Sequence, residues 1–443
     1  MKCPHYRLPG DRRDNATDRE AVNSGPILEL VRAEAEEAAS AFTRLTDEAV
    51  ARALQRMAER LRAQRKSILA QNTLDVVAAS TRLDEGSLDR LRLDDARLDD
   101  LAGHLATVAA LSPLDRVIDE WTLANGLRVT ARRIPIGVVG ANFEARPGVA
   151  LDIASQLLKS LNGCVLRTGS AALRSVAALI DMVVRPSLEE AGVPGATVGL
   201  VRDENRAGAF ALTSLPDVVP LVILRGSGSG TAELARHAAS QGVQTLAHAE
   251  GGGVLYVDRS ADPAKVRVLV EASLDRLGVC NRLNLLLLHR DVAGMLEALA
   301  AQLEALGIVL RGTERARALW PVEPLDRPLG HEWANDAEHV RSVSVDVVKS
   351  VEEACGLANR ETSALAAGIV AEDEQAVYEF LRRYRGTAGF WHAPTRFTDG
   401  FALLGVPETG INVGWSPGPR GPVTYRDLWL KQLMVVGNGK QHR

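Results

Sequence analysis

The sequence predicts an α/β protein built on parallel, helix-covered sheets. Three observations carry that prediction. From Ile134 onward, continuous apolar and β-branched runs lead through glycine or serine into helical stretches, the pattern of strands buried on both faces. Ahead of them, from Ile27 to about Ala110, apolar residues recur at three and four spacing, as an array of amphipathic helices requires. Between the two lies Trp121 to Thr130, two short extended runs around Asn125-Gly126, a dipeptide that tolerates the positive φ of a type I′ hairpin turn. A chain of 443 residues exceeds one core, so two or three domains are expected.

The helical array is read from Val50, Ala53, Leu54, Met57 and Leu61, with the charged stretch Arg60 to Lys66 as its solvated face. The residues before it, 1–26, are polar and mixed in charge and read as a disordered leader. The hairpin reads as an oligomerisation arm, with an ordinary surface hairpin as the plain alternative. In the first α/β unit, Ile136 to Val139, Cys164 to Arg167, Thr197 to Val201 and Val218 to Leu224 are strands. Two turns of this unit suit an anion, because glycine backbone and helix N-terminal amides can approach it closely. They are Arg167-Thr168-Gly169-Ser170 and Arg225-Gly226-Ser227-Gly228, and either could equally serve tight packing. Arg167 also supplies a cation for the extra phosphate of NADP.

A second α/β unit begins near Gly251. Strands are expected at Val254 to Val257, Cys280 to His289, Val343 to Val348 and Ala366 to Val370, with helices at Asp262 to Asp275, Met295 to Leu306, Val351 to Asn359 and Glu374 to Tyr384. Leu430 to Val436 is a further extended run. Cys280 follows Gly278-Val279 and precedes the aliphatic run Leu285 to Leu288, so its sulfur would be held at a strand end. A thiolate there could attack a carbonyl carbon and carry a thioester; a buried cysteine acting as a small hydrophobe is the plain alternative. His289 reads as a structural histidine.

Composition narrows the function classes. Hydrophobic residues at 46% and charged residues at 24% describe a globular chain able to bury a large core. A formal charge of −4 gives no basic footprint for nucleic acid, and no apolar run approaches a bilayer span, so a cytoplasmic protein with small-molecule partners is expected. The four cysteines, Cys3, Cys164, Cys280 and Cys355, lack C-x-x-C spacing, which argues against a zinc site or a disulfide framework. No metal is expected.

Taken in chain order, a series of segments resembles the γ-glutamyl phosphate reductases of the aldehyde dehydrogenase superfamily. The matching pieces are Trp121-Thr-x-x-Asn-Gly-Leu, Ile136-Gly-Val-Val-Gly with Glu144-Ala-Arg-Pro147, Leu166-Arg-Thr-Gly-Ser170 and Leu246-Ala-His-Ala-Glu-Gly251. Tyr256-Val-Asp258, Gly278-Val-Cys-Asn281, Thr395-Arg-Phe-Thr-Asp-Gly400, Arg420-Gly-Pro422 and Gly437-Asn-Gly439 follow. The resemblance implies an aldehyde dehydrogenase-like fold in three parts: an NADP-binding domain (27–113 plus 134–247), a catalytic domain (248–398) and an oligomerisation element (114–133 plus 399–443). It implies reduction of an acyl phosphate to an aldehyde with NADPH, in proline synthesis, by a homodimer or tetramer, with a kinase as candidate partner for the supply of substrate. Cys280 would be the nucleophile, and amides near Cys280 and Asn281 would meet the oxyanion. Glu144, Arg146, His248, Arg282, Arg396 and Thr398 are the candidate substrate contacts.

The resemblance also breaks, at Gly252 to Val254, Arg282, Asn284, Thr362 to Ala367 and His392 to Pro394. These departures are read as a rewritten substrate pocket, so a different acyl phosphate or an acyl thioester stays open as the substrate. Neutral drift in a true proline enzyme and a catalytically silent scaffold remain the other readings.

Overall fold

The structure, a computed structural model, describes residues 25–226, 228–248, 251–416 and 418–442, with only the backbone of His248. Most of the expected leader, residues 1–24, lies outside the described residues; the first helix starts at Pro26, where a missing N–H costs nothing.

Five helices form the opening array: α1 (Pro26–Ala41), α2 (Asp47–Ala63), α3 (Arg65–Ala79), α4 (Glu85–Leu91) and α5 (Asp95–Ala110). Helix α2 begins where the Thr46 side chain accepts from Ala49 N–H at 3.1 Å, and Val50, Ala53, Leu54, Met57 and Leu61 are fully buried as their spacing requires. The hairpin β1 (Val117–Thr122) and β2 (Arg128–Pro135) follows. Its turn differs from expectation: Gly126 N–H bonds Leu123 O, and Gly126 alone takes a positive φ, +84°, so the loop is a longer turn closed by a left-handed glycine and not a two-residue type I′ turn.

The first sheet is parallel, in the order β5-β4-β3-β6-β7. Its strands are β3 (Val138–Phe143), β4 (Gly163–Thr168), β5 (Val198–Leu200), β6 (Leu221–Arg225) and β7 (Gln244–His248). Between them run α6 (Val149–Lys159), α7 (Leu173–Leu179), which passes through a π turn into α8 (Arg185–Glu190), then α9 (Ala207–Leu212) and α10 (Gly228–Gln241). The chain winds outward from β3 to β5, then returns to start β6 on the other side of β3. That reversal opens a crevice at the carboxyl ends of β3 and β6, the place where open α/β sheets bind ligands.

The second sheet is parallel as well, ordered β11-β10-β12-β9-β8-β13-β14. It comprises β8 (Gly253–Val257), β9 (Leu283–His289), β10 (Val309–Gly312), β11 (Glu323–Pro324), β12 (Ser342–Val348), β13 (Ala366–Val370) and β14 (Ala388–Trp391). Helices α11 (Pro263–Ala272), α12 (Met295–Ala305), α13 (Glu314–Arg317), α14 (Val351–Glu361) and α15 (Glu374–Arg383) cover it. Strand β9 is buried along its whole length, but it begins at Leu283, so Cys280 stands in the turn before the strand and not within it.

The C-terminal region divides. Helix α16 (Gly400–Leu404) and the paired strands β15 (Gly410–Asn412) and β16 (Gly421–Val423) lie against the first sheet: Ala247 N–H bonds Asn412, Tyr425 N–H bonds Gln156, and Val423 and Leu428 join the first domain's core. Only β17 (Trp429–Val436) joins the hairpin, pairing along the full length of β2 in a three-stranded antiparallel sheet ordered β1-β2-β17. Residues 400–428 are therefore no part of that arm sheet.

Candidate active site

A cleft of about 640 Å³ lies between the carboxyl ends of β3, β4 and β6 and the turn that precedes β9. Cys280 lines it. The turn holds the cysteine by close backbone packing, for Gly252 N–H bonds Cys280 O at 2.6 Å and a Cβ on Gly251 would stand 2.5 Å from Cys280 Cβ. Gly251 is thus a glycine by necessity. The same added carbon would lie 2.7 Å from Glu332 Oε1, which brings a carboxylate from a distant loop to the side of the cysteine.

Charge dominates the cleft lining. Seven arginines (Arg90, Arg146, Arg167, Arg206, Arg225, Arg276 and Arg396) face four carboxylates (Glu144, Glu332, Asp399 and Glu408), so the cleft favours anionic ligands. The Cys280 thiol is pushed up to about 12, by burial first and by Glu332 and Glu408 as well, against the pull of Arg225 and Arg146. The free protein holds it as the neutral thiol at neutral pH. Burial likewise raises the Glu408 carboxyl, despite Arg225 nearby, and lowers Arg167 and Arg146. Burial also works against the Arg225 cation, but Glu144, Glu408 and Asp152 outweigh it and hold that group above its usual value.

The sequence-predicted residues fall into three groups. Cys280, Asn281, Glu144, Arg146, Arg167, Gly169, Arg225, Gly226, Arg396 and Thr398 all line the one cleft. The Asn281 side chain has a task of its own there: its amide donates to Arg396 O at 3.0 Å and Thr398 O at 3.1 Å while its oxygen accepts from Arg396. It fixes the 396–398 loop beside the cysteine. Arg396 is spent in the same clasp, donating also to Asp275 at 2.6 Å.

The second group stands apart from the cleft lining. Ser170 is exposed at the start of a short 3-10 turn, and Gly228 opens α10. Arg282, expected to touch substrate, is completely buried beside the second sheet, where it donates to Leu283 O at 2.9 Å, Ser342 O at 2.6 Å and Val340 O. The guanidinium holds strand ends together. The third group, Ser227 and the His248 side chain, lies outside the described residues, as do Ala249 and Glu250.

The departures from the family pattern need the same correction. None of Gly252 to Val254, Arg282, Asn284, Thr362 to Ala367 and His392 to Pro394 lines the cleft. Most of them gather at the starting ends of β8, β9 and β13, and Asn284 clamps the loop behind the site, donating to His331 O at 2.5 Å and accepting from Trp333 N–H at 3.0 Å. They are packing positions, and the direct lining of the cleft does not include them.

The residues at the carboxyl ends of β4 and β6 fit the dinucleotide that the fold implies. Gly226 holds a φ of +152°, Gly169 approaches Ala145 so closely that a Cβ would sit 3.1 Å from its backbone nitrogen, and the buried Nε of Arg167 has no hydrogen-bond partner among the described residues. These are features of a cradle for phosphate and ribose oxygens. Among the described residues there is no group of three His, Cys, Asp or Glu side chains able to hold a metal ion, and no helix long and apolar enough to cross a membrane.

A doubly wound sheet whose crevice faces a cysteine in the turn that leads into a second parallel sheet is the arrangement of an oxidoreductase of the aldehyde dehydrogenase type. An acetylating aldehyde dehydrogenase from Geobacillus thermoglucosidasius shares the fold, with a TM-score of 0.67 at 16% identity over 97% of this chain and all of that one. Within that class the chain belongs to the gamma-glutamyl phosphate reductase family. It is 37% identical to the Clavibacter michiganensis member over 383 residues, 84% of this chain and 85% of that one. The crystal structure of the Thermotoga maritima member matches with a TM-score of 0.86 at 30% identity, covering 94% of this chain and all of its own. No family model matches the chain.

Proposed function

We propose that the protein reduces γ-glutamyl phosphate to glutamate 5-semialdehyde through a thioester on Cys280, with NADPH as reductant, in proline synthesis. The observation that carries the reading is Cys280 at the meeting point of the two sheets in an arginine-lined cleft. Arg146 and Arg225 favour the thiolate form of Cys280, and the backbone amides at 280–281 are the donors for the oxyanion of the tetrahedral intermediate. Arg167, Gly169, Gly226 and Thr231 are the residues to hold the dinucleotide, whose nicotinamide supplies the hydride when bound. Asn281 keeps the 396–398 loop against the cysteine, so the cleft stays closed on that side. Phosphate as leaving group removes any need for a base to activate water. A kinase that makes the acyl phosphate is the partner this chemistry calls for, and the cytoplasm is the compartment.

The assay is direct. Purified protein with glutamate 5-semialdehyde, inorganic phosphate and NADP⁺ should form NADPH, faster than it forms NADH from NAD⁺; turnover independent of phosphate, or none at all, would count against the acyl-phosphate reading.

We further infer that the protein is a homo-oligomer joined through the three-stranded arm. Leu430, Leu433, Met434, Val435 and Val436 on β17 are all exposed, as is Trp121 on β1, an apolar surface that a second copy would cover. Leu433→Asp is expected to shift the protein to monomer in sedimentation; an unchanged sedimentation coefficient removes the arm from the interface.

A further inference from the structure

Two arginines stand at the topological switch point. Arg225 is the last residue of β6, and Arg146 lies in the loop that follows β3, the strand paired with it. Both line the same cleft and both face Glu144, and Arg225 lowers the proton affinity of Arg146, so the two cations are neighbours in a partly desolvated place. Like charges brought together there are unfavourable without an anion between them.

Their protein partners leave donors over. A guanidinium carries five N–H donors. Arg146 Nε is buried without a hydrogen-bond partner among the described residues and stays 3.6 Å from Glu144 Oε1. Arg225 Nη1 makes one long bond, 3.4 Å to Thr409 O, and lies 3.9 Å from Glu408. Both cations act on the Cys280 sulfur. A structural ion pair would be tighter on both sides. A tetrahedral dianion suits this geometry, because forked guanidinium donors match its oxygens in pairs.

We infer that Arg146 and Arg225 form a phosphate subsite that holds the phosphoryl group of the acyl substrate beside Cys280 and receives it as it leaves. The inference rests on the acyl-phosphate reading above, and it moves Arg225 from the dinucleotide, where the sequence put it, to the substrate. In the step concerned the sulfur–carbon bond forms as the bond from the acyl carbon to the phosphate oxygen breaks. The phosphate departs with that electron pair and the thiol proton ends on it, so acyl phosphate dianion and thiol give thioester and hydrogenphosphate. Nothing is oxidised or reduced here. Read backwards, the same two arginines present inorganic phosphate to the thioester.

The test uses the full chain with Arg146→Gln, Arg225→Gln and the conservative Arg225→Lys. Inorganic phosphate binding is measured by titration calorimetry without other ligands, and the phosphate KM is measured in aldehyde oxidation with NADP⁺. Loss of one charge-assisted contact should weaken phosphate by ~10- to 100-fold in both measurements, with partial recovery in the lysine variant and NADP⁺ affinity unchanged. A rapid-mixing burst of NADPH without phosphate should keep its amplitude but slow in the glutamine variants, since thioester formation from aldehyde needs no phosphate while the Cys280 thiolate loses a neighbouring cation. Phosphate affinity that stays at the parental value while NADP⁺ affinity falls would assign the pair to the dinucleotide pyrophosphate and overturn the inference. Should the parent protein bind phosphate through these arginines yet turn over no acyl phosphate or aldehyde, the subsite stands and the reading of the reaction fails.

Discussion

Cys280→Ser is expected to abolish phosphate-dependent aldehyde oxidation, by roughly 10³-fold or more, while leaving the fold intact. The loss follows from chemistry: a serine hydroxyl is a far weaker nucleophile than a thiolate, and a serine ester is a poorer acyl donor to phosphate than a thioester. The fold should hold because Cys280 is only half-buried and sits in a turn outside the cores. The thiol itself titrates late. With its pKa pushed up to about 12, chiefly by burial, the thiolate fraction of the free protein should rise about tenfold per pH unit across the neutral and alkaline range. Alkylation by iodoacetamide, followed by mass spectrometry at this residue, should therefore climb without a plateau between pH 7 and 10, limits set by the reagent's useful range, roughly. A plateau near neutrality would mean a thiolate already stabilised in the free protein. A serine variant with more than about a hundredth of the parental rate would take Cys280 out of the mechanism.

The parts of this fold that announce themselves in the sequence are those whose physics is local. Leu285 to Leu288 reads as a strand buried on both faces because the run is short, aliphatic and preceded by a glycine turn, and the interval from Val50 to Leu61 reads as the inner face of a helix from its three and four spacing. Glycines were legible as loop signals before the structure gave each its reason: Gly251 packs on Cys280, Gly169 on Ala145. What stayed hidden depends on contacts between distant segments. Glu332, Glu408, Arg206 and Arg90 reach the cleft from four separate loops and helices, and nothing in their local spacing marks them. Arg276 offered one clue, its position four residues before Cys280.

Burial misled the sequence reading in a particular way. Polar residues next to a nucleophile look like substrate contacts, yet Arg282 and Asn284 turn into the domain, where the carbonyls of Leu283 and Ser342 and the backbone of His331 and Trp333 take up their polar atoms. Cys280, Arg282 and Asn284 share a parity, but the turn before Leu283 breaks the alternation. The C-terminal residues 400–428 were hidden for a different reason, since their partners, Gln156 and Ala247, lie more than half the first domain's length away in sequence. The distance is topological.

Arg282→Ala is expected to be the most destabilising single change among the residues considered, at about 3–5 kcal/mol. The side chain is fully buried and its cation, lowered by burial to about 10, is still charged at neutral pH. That charge is tolerated because three backbone carbonyls accept from it, those of Leu283 at the start of β9, Ser342 at the start of β12 and Val340 just before it. Truncation leaves these acceptors without their donor and opens a cavity the size of the guanidinium and its stem. Arg282→Met should cost less, because it keeps most of the volume and loses only the donors. The two variants together separate packing from hydrogen bonding. Urea unfolding midpoints measure both, and a change below about 1 kcal/mol in Arg282→Ala would contradict a structural role. Function should follow stability by a definite route. Ser342 and Val340 end the loop that carries Glu332 and Asn335 into the cleft, and Asn284 grips the same loop at His331 and Trp333. Releasing Arg282 therefore loosens the wall opposite the switch-point arginines, and the rate should fall at temperatures well below the unfolding midpoint.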